Sequence, residues 1–155
     1  MLHYLEFGIS HMEVPGETTL CIYISGCSNR CPKCHYVQLQ DADVGEVLSE
    51  YFDLILNMYH MYTTCVCFMG EGDCSAESIG ELRQYVLRSH ARGYKCCLYS
   101  GRDTEIEEWM KVFDYLKIGS YNDAYGPLTS KSTNQKMYMR RSDNTFIDIT
   151  YRFWT

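Results

Sequence analysis

The residues of this chain best equipped for chemistry are three cysteines in one short stretch, GCSNRCPKCH, where Cys27, Cys31 and Cys34 are followed at once by His35. Several chemistries use thiolates at such spacing, and each makes a demand on the rest of the sequence. Cys31 to His35 fits the C-x-x-C-H pattern of covalent haem attachment, and Cys31 with Cys34 fits the dithiol of a thioredoxin-like redox motif. Covalent haem is expected on an exported protein. The opening MLHYLEFGISHMEVPGETTL lacks a basic head followed by an apolar core and so does not read as a secretory signal. A dithiol leaves Cys27 without a role. Structural zinc needs four ligands, which Cys27, Cys31, Cys34 and His35 supply in number. Adjacent Cys34 and His35 would strain to reach one ion, however, and no second C-x-x-C knuckle completes the usual pairing.

What remains is C-x-x-x-C-x-x-C, three thiolates on one curled loop. That suits three irons of a [4Fe-4S] cube and leaves the fourth iron without a protein ligand. An electron carrier closes its cluster with a fourth cysteine, whereas an open corner can bind and activate a small molecule, as catalytic metal sites do. The chain has nine cysteines. In a reducing compartment they stay thiols, so a disulfide framework is a poor explanation for them. Cys65, Cys67, Cys96 and Cys97 lie in apolar strand-like runs, where a free cysteine behaves as a small buried hydrophobe.

The elements that must hold this loop follow from periodicity. TLCIYIS (19–25) alternates and is rich in β-formers, so it predicts a strand running into the cysteine loop. From Asp43 to about His60, Val44, Val47, Leu48, Tyr51, Ile55 and Tyr59 recur at helical spacing, with Asp43 and Glu46 arranged as a capping box. CVCFM (65–69) predicts a strand, GEGD (70–73) a turn, and Ile79, Leu82 and Val86 a second helix stopped by Gly93. The unit repeats as KCCLYS (95–100), a short acidic helix from about Thr104 to Lys111, and YLKIG (115–119). The polar segment 120–135 leads to a terminal hairpin, KMYMRR and TFIDITYRF around Ser142-Asp143-Asn144. Strands alternating with helices predict an α/β fold with parallel strands, a sheet or part of a barrel. In such folds ligands collect at the carboxyl ends of strands, so the loops at 26–35, 70–73 and 100–101 are expected on one rim.

The 155 residues suffice for one domain with a real core, spanning 1–155. A formal net charge of −6 with no basic run beyond Arg140-Arg141 excludes an electrostatic nucleic-acid footprint. No segment approaches the roughly 18 continuous apolar residues of a membrane helix, and the chain is expected in the cytoplasm.

Three cysteines at this spacing after the first parallel strand, with a glycine-acidic turn after the next, resemble the radical S-adenosylmethionine (SAM) enzymes. YISGCSNRCPKCHYVQL, CVCFMGEGD, the YSG at 99–101, FDYLKIG, GPLTSKSTNQKMY and DITYRFW extend the resemblance over nearly the whole chain, to the family of anaerobic ribonucleoside-triphosphate reductase activating proteins. The resemblance implies a partial (β/α) barrel of radical SAM type with a short C-terminal β-hairpin. It implies a [4Fe-4S] cluster on Cys27, Cys31 and Cys34, with S-adenosyl-L-methionine on the fourth iron. Gly70, Glu71, Gly72 and Asp73 occupy the turn that meets the SAM amino group in similar enzymes. Glu71 interrupts the glycine pair, and both Glu71 and Asp73 are candidates for the matching acid. Ser100 and Gly101 stand where similar enzymes contact the SAM ribose or carboxylate, and His35 where backbone commonly faces the adenine. Lys33 replaces a frequent family aromatic. Thr133-Asn134-Gln135 is a family marker with no assigned chemistry.

The implied activity is reductive cleavage of SAM to methionine and a 5'-deoxyadenosyl radical, which generates a glycyl radical on the large anaerobic ribonucleoside-triphosphate reductase subunit. A low-potential electron donor such as a flavodoxin is the expected second partner. An activase of another glycyl-radical enzyme, a small radical SAM enzyme acting on a modified base, and a non-enzymatic Fe-S or zinc protein remain the alternatives.

Overall fold

The computed structural model describes residues 1–29, 31, 34 and 36–154. His35 and Lys33 lie outside the described residues. Among the described residues the architecture is mixed α/β: one eight-stranded sheet and two α-helices. In chain order the strands are β1 (His3–Ser10), β2 (Thr19–Ile24), β3 (Glu46–Val47), β4 (Cys65–Met69), β5 (Lys95–Ser100), β6 (Tyr115–Ile118), β7 (Lys136–Arg140) and β8 (Phe146–Asp148). They lie side by side as β3-β1-β2-β4-β5-β6-β7-β8, an open sheet. The four central strands β2, β4, β5 and β6 run parallel, and antiparallel strands flank them on both sides.

Strand alternation splits the interior in two. Leu20, Ile22, Ile24, Val66, Phe68, Cys96, Leu98, Leu116 and Ile118 form one face, covered by α1 (Leu48–Tyr59) and α2 (Ala76–Ala91). α1 buries Leu48, Phe52, Ile55 and Leu56, and α2 buries Ser78, Leu82, Tyr85, Val86 and Ser89, the spacings of a single helical stripe. Phe52 meets Tyr85 with ring centroids 4.3 Å apart, and Phe68 lies 6.2 Å from Tyr85, so both helices and the sheet share one aromatic cluster. The opposite face carries Cys21, Cys65, Cys67, Cys97, Tyr115 and Met137, packed with Val14 and Ile149.

Three expectations are corrected. The helix read from Asp43 begins at Leu48, and Asp43 and Glu46 form no capping box. Glu46–Val47 instead pairs with His3 and Tyr4 as β3, and the Asp43 N–H bonds Asp41 Oδ1 at 3.0 Å, so sheet pairing prevails over local helix signals. The acidic helix expected at 104–111 is a 3-10 turn over Glu108–Val112, held by burial of Met110 and Phe113. The second arm of the terminal hairpin, expected over TFIDITYRF, is a strand over Phe146–Asp148 alone, and the chain then turns into a 3-10 helix at Thr150–Phe153. By contrast α2 starts with Ser75 Oγ accepting the Ser78 N–H at 3.1 Å, and Gly93 at φ +84° follows its end, as the stop signal predicts.

Candidate functional site

β2 ends in the cysteine loop, and the chain returns through a 3-10 turn at Val37–Gln40. The Leu39 carbonyl accepts from the N–H groups of both Gly26 and Cys27 at 2.8 Å, which curls the loop back on its own start. Gly26 allows this at φ +89°, and a Cβ there would lie 3.4 Å from Ala42 and 3.8 Å from Gly72 Cα. The Tyr36 N–H points at Cys34 Sγ, 3.4 Å away. Cys27, Cys31 and Cys34 are all partly exposed, whereas Cys21, Cys65, Cys67, Cys96 and Cys97 are buried. Cys74, after β4, is partly exposed too, but burial and the neighbouring Glu71 carboxylate, 3.4 Å away, push its thiol up to about 12. The loop cysteines are therefore reachable, and the strand cysteines behave as the hydrophobes the sequence predicts. Burial pushes the Cys96 thiol up, and that of Cys97 to about 11, far from reactive thiolates.

The three strand-end loops do share a rim. Gly26 sits beside Gly72, as above, and Asn29 lies over Gly101, where a Cβ would come within 2.8 Å of Asn29 Nδ2. A cavity of about 420 Å³ opens between Asn29, Cys31, Gly101, Arg102, Asp103 and the segment 120–123. A second, of about 260 Å³, lies on the cysteine-bearing face of the sheet, between Tyr23, Tyr36, Leu39, Met69, Gly70, Tyr99, Gly101 and Lys117. Tyr23, Met69, Tyr99 and Lys117 are register partners across β2, β4, β5 and β6, so one row of the sheet builds this wall.

Glu71 and Asp73, the two candidate acids, have different surroundings. The Glu71 side chain is 4% exposed and takes a two-point ion pair from Arg102: Nε to Oε2 at 2.9 Å and Nη2 to Oε1 at 3.0 Å. Arg102 also holds Glu107, with Nη2 to Oε1 at 2.7 Å, and Trp109 Nε1 donates to the same oxygen at 2.8 Å. Asp73 is exposed and uses Oδ1 to accept from the Ser75 N–H at 3.0 Å and Ser78 Oγ at 2.7 Å. These bonds at the start of α2 pull its carboxyl down to about 2. The side chain of Ser100 is buried, and its Oγ accepts the Arg102 N–H at 3.3 Å.

Sequence reasoning missed several residues here. Arg102 and Asp103 directly follow the Ser100-Gly101 candidate; Asp103 accepts from the Ser120 N–H at 2.9 Å and Ser120 Oγ at 2.8 Å, tying the loops after β5 and β6 together. Asn134 of the TNQ segment donates from Nδ2 to the Ser120 carbonyl at 3.0 Å, so that marker braces the rim. Lys117 is a lone charge in the apolar run YLKI, which was the available signal for it.

Away from the rim, His90, Cys96 and Asp114 bring ligand atoms within 4.8 Å of one another, a possible metal group. Asp114 Oδ1 already takes Arg140 Nη2 at 2.8 Å, and Oδ2 takes the Cys96 N–H and His90 Nε2, each at 2.8 Å. Arg140 thus supplies the positive charge, and the group works as a clamp between α2, β5 and β7. Among the described residues no helix is long and apolar enough to cross a membrane. No protein-family model matches the chain, and no curated protein matches it.

Proposed function

We propose that this chain is a glycyl-radical activating enzyme of the radical SAM type. It holds a [4Fe-4S] cluster through Cys27, Cys31 and Cys34, binds SAM along the rim formed by residues 70–73 and 100–101, and acts on the large subunit of an anaerobic ribonucleoside-triphosphate reductase. The observation that carries this reading is the contrast among the cysteines. Three of the four partly exposed cysteines belong to one curled loop, at the carboxyl ends of parallel strands and beside two cavities; the fourth, Cys74, donates to Glu71 after β4, and the five strand cysteines are buried.

The donor set fits such a cluster. Three thiols on one loop match three irons, and the Tyr36 N–H aimed at Cys34 Sγ is the kind of bond that stabilises cluster sulfurs. When bound, the cluster supplies the electron that splits SAM into methionine and a 5'-deoxyadenosyl radical. The chain's own residues prepare the place. The Leu39 carbonyl fixes the loop's curl, and the glycines at 70 and 101 leave the strand ends without side chains. Tyr23, Tyr36 and Tyr99 wall one cavity with aromatic surface. We read the open sheet, with both described α-helices on one face, as a partial barrel. Its uncovered rim leaves a substrate to arrive on another protein, and a glycine backbone, lacking a side chain, can thread into so narrow a space. A low-potential donor such as a flavodoxin would feed the cluster.

Anaerobic reconstitution tests the reading. The wild-type chain should take up close to four irons and release 5'-deoxyadenosine from SAM under a strong reductant, while Cys31→Ser loses both and Cys97→Ser keeps them. Full iron and SAM cleavage in Cys31→Ser would refute it. Addition of the large reductase subunit should then yield a glycyl radical signal by electron paramagnetic resonance. SAM cleavage without that signal would assign the chain to a different substrate, and iron without SAM cleavage to a non-enzymatic Fe-S protein.

A further inference from the structure

Lys117 stands in the middle of the sheet with its side chain in the cavity that the tyrosine row walls. It is 8% exposed. Its ammonium donates to the Gly119 carbonyl at 2.8 Å and lies 5.6 Å from the centre of the Tyr99 ring. Among the described residues no carboxylate comes within ion-pair distance of it. A carbonyl and an aromatic face replace only part of the hydration that an ammonium loses, and burying an ion costs several kcal/mol when no counter-charge is present. Burial accordingly pushes Lys117 down to about 8. Tyr36 and Leu39, which follow the loop cysteines, line the same cavity, and the Tyr36 N–H lies 3.4 Å from Cys34 Sγ, so the cation stands beside the cysteine loop. An apolar side chain would fill the same space at less cost, since the neighbours in its row are Tyr99 and Met137.

The negative charge that would answer this cation is the one that arrives with the cluster. A [4Fe-4S] core of charge 2+ bound by three thiolates carries a net −1, and −2 after one electron is added. A fixed positive charge in the cavity beside the cysteine loop attracts the second state more than the first. We propose that Lys117 is a positioning residue for the electron, a buried cation that raises the reduction potential of the cluster held by Cys27, Cys31 and Cys34. This rests on the function proposed above. The cation acts through space on the cluster and has no part in bond breaking.

Lys117→Met removes the charge and keeps the length of the side chain; Lys117→Arg keeps the charge. All three proteins would be reconstituted anaerobically, assayed for iron and sulfide, and titrated against redox mediators while the reduced cluster is followed by electron paramagnetic resonance. Equal iron in the three is expected. The Lys117→Met midpoint should fall by about a tenfold loss in electron affinity, about 59 mV for a one-electron couple, with Lys117→Arg close to wild type. Equal midpoints for wild type and Lys117→Met at full iron would overturn the inference and leave the proposed function standing. A Lys117→Met chain that fails to hold iron while Lys117→Arg holds it would assign the charge to cluster assembly and overturn the inference as well. A wild-type chain without iron would overturn the function itself, and this inference with it.

Discussion

Arg102→Leu is the substitution with the largest consequence that can be worked from the structure. Arg102 is the sole charged partner of Glu71 within ion-pair distance among the described residues, and the Glu71 side chain is 4% exposed. Removing one member of a buried pair leaves the other as an uncompensated charge, at about 3–5 kcal/mol. The Cys74 thiol, 3.4 Å from Glu71 Oε2, offers only a weak replacement donor. Glu107 loses Arg102 as well, but its side chain is 36% exposed and keeps Trp109, so it adds at most about 1 kcal/mol. The expected loss is therefore about 4 kcal/mol, a large share of the stability of a chain this size. Urea unfolding of the reduced, metal-free chain at neutral pH measures it, with an unchanged slope confirming that the unfolded state is not altered. Arg102→Leu combined with Glu71→Gln removes the stranded charge and should recover about 2 kcal/mol. A loss below about 1 kcal/mol for Arg102→Leu, or a double variant no more stable than the single one, would refute the reasoning.

Two further substitutions probe the frame. Burial would raise the Asp114 carboxyl, but hydrogen bonds from Arg140, His90 and the Cys96 N–H outweigh it and hold the carboxyl below the usual carboxylate range. Its contribution is thus fully present above its unfolded value near 4 and lost as pH falls through the lower folded one. Asp114→Asn should destabilise the chain at pH 7 and progressively less toward pH 3, read by unfolding at several pH values; a pH-independent difference would rule out the charge as cause. Gly45 has φ +88°, and a Cβ there would lie 2.0 Å from the Tyr4 carbonyl oxygen, so Gly45→Ala should cost about 2 kcal/mol or more by the same unfolding assay and loosen the β1–β3 pairing.

The parallel centre of the sheet was legible in the sequence because β2, β4, β5 and β6 are short stretches rich in β-formers whose residues are nearly all buried. β1 was not. HYLEFGIS mixes Glu6 and Gly8 with its apolar residues, and its pairing with β2 carries a register irregularity between Tyr4 and Phe7, so the period-2 pattern is broken. Asp43 and Glu46 show local chemistry yielding to long-range pairing: an N-cap signal is worth about 1 kcal/mol, less than the sheet edge gained by placing Glu46–Val47 against His3 and Tyr4. The cysteine loop was visible because spacing is a property of sequence. The residues that hold its rim together, Arg102, Asp103, Ser120 and Asn134, bond between loops 14 to 31 positions apart, and no local pattern announces such pairs.

The two acids after β4 show how position in the fold divides roles that sequence leaves equal. Both oxygens of Glu71 are taken by Arg102, so this carboxylate fastens the loop after β4 to the loop after β5. Asp73 is exposed and spends Oδ1 on the start of α2, bonds that hold its carboxyl down to about 2. On the proposed function, the ammonium of SAM would therefore find its carboxylate in Asp73 and not in Glu71. Asp73→Asn should weaken SAM binding to the reconstituted chain several-fold in equilibrium dialysis, while Glu71→Gln changes it less than twofold. Ser78→Ala, which loosens the same bonds at α2 but leaves the Asp73 charge, separates charge from structure and should bind SAM as wild type does. A several-fold loss in Glu71→Gln with none in Asp73→Asn would reverse the assignment.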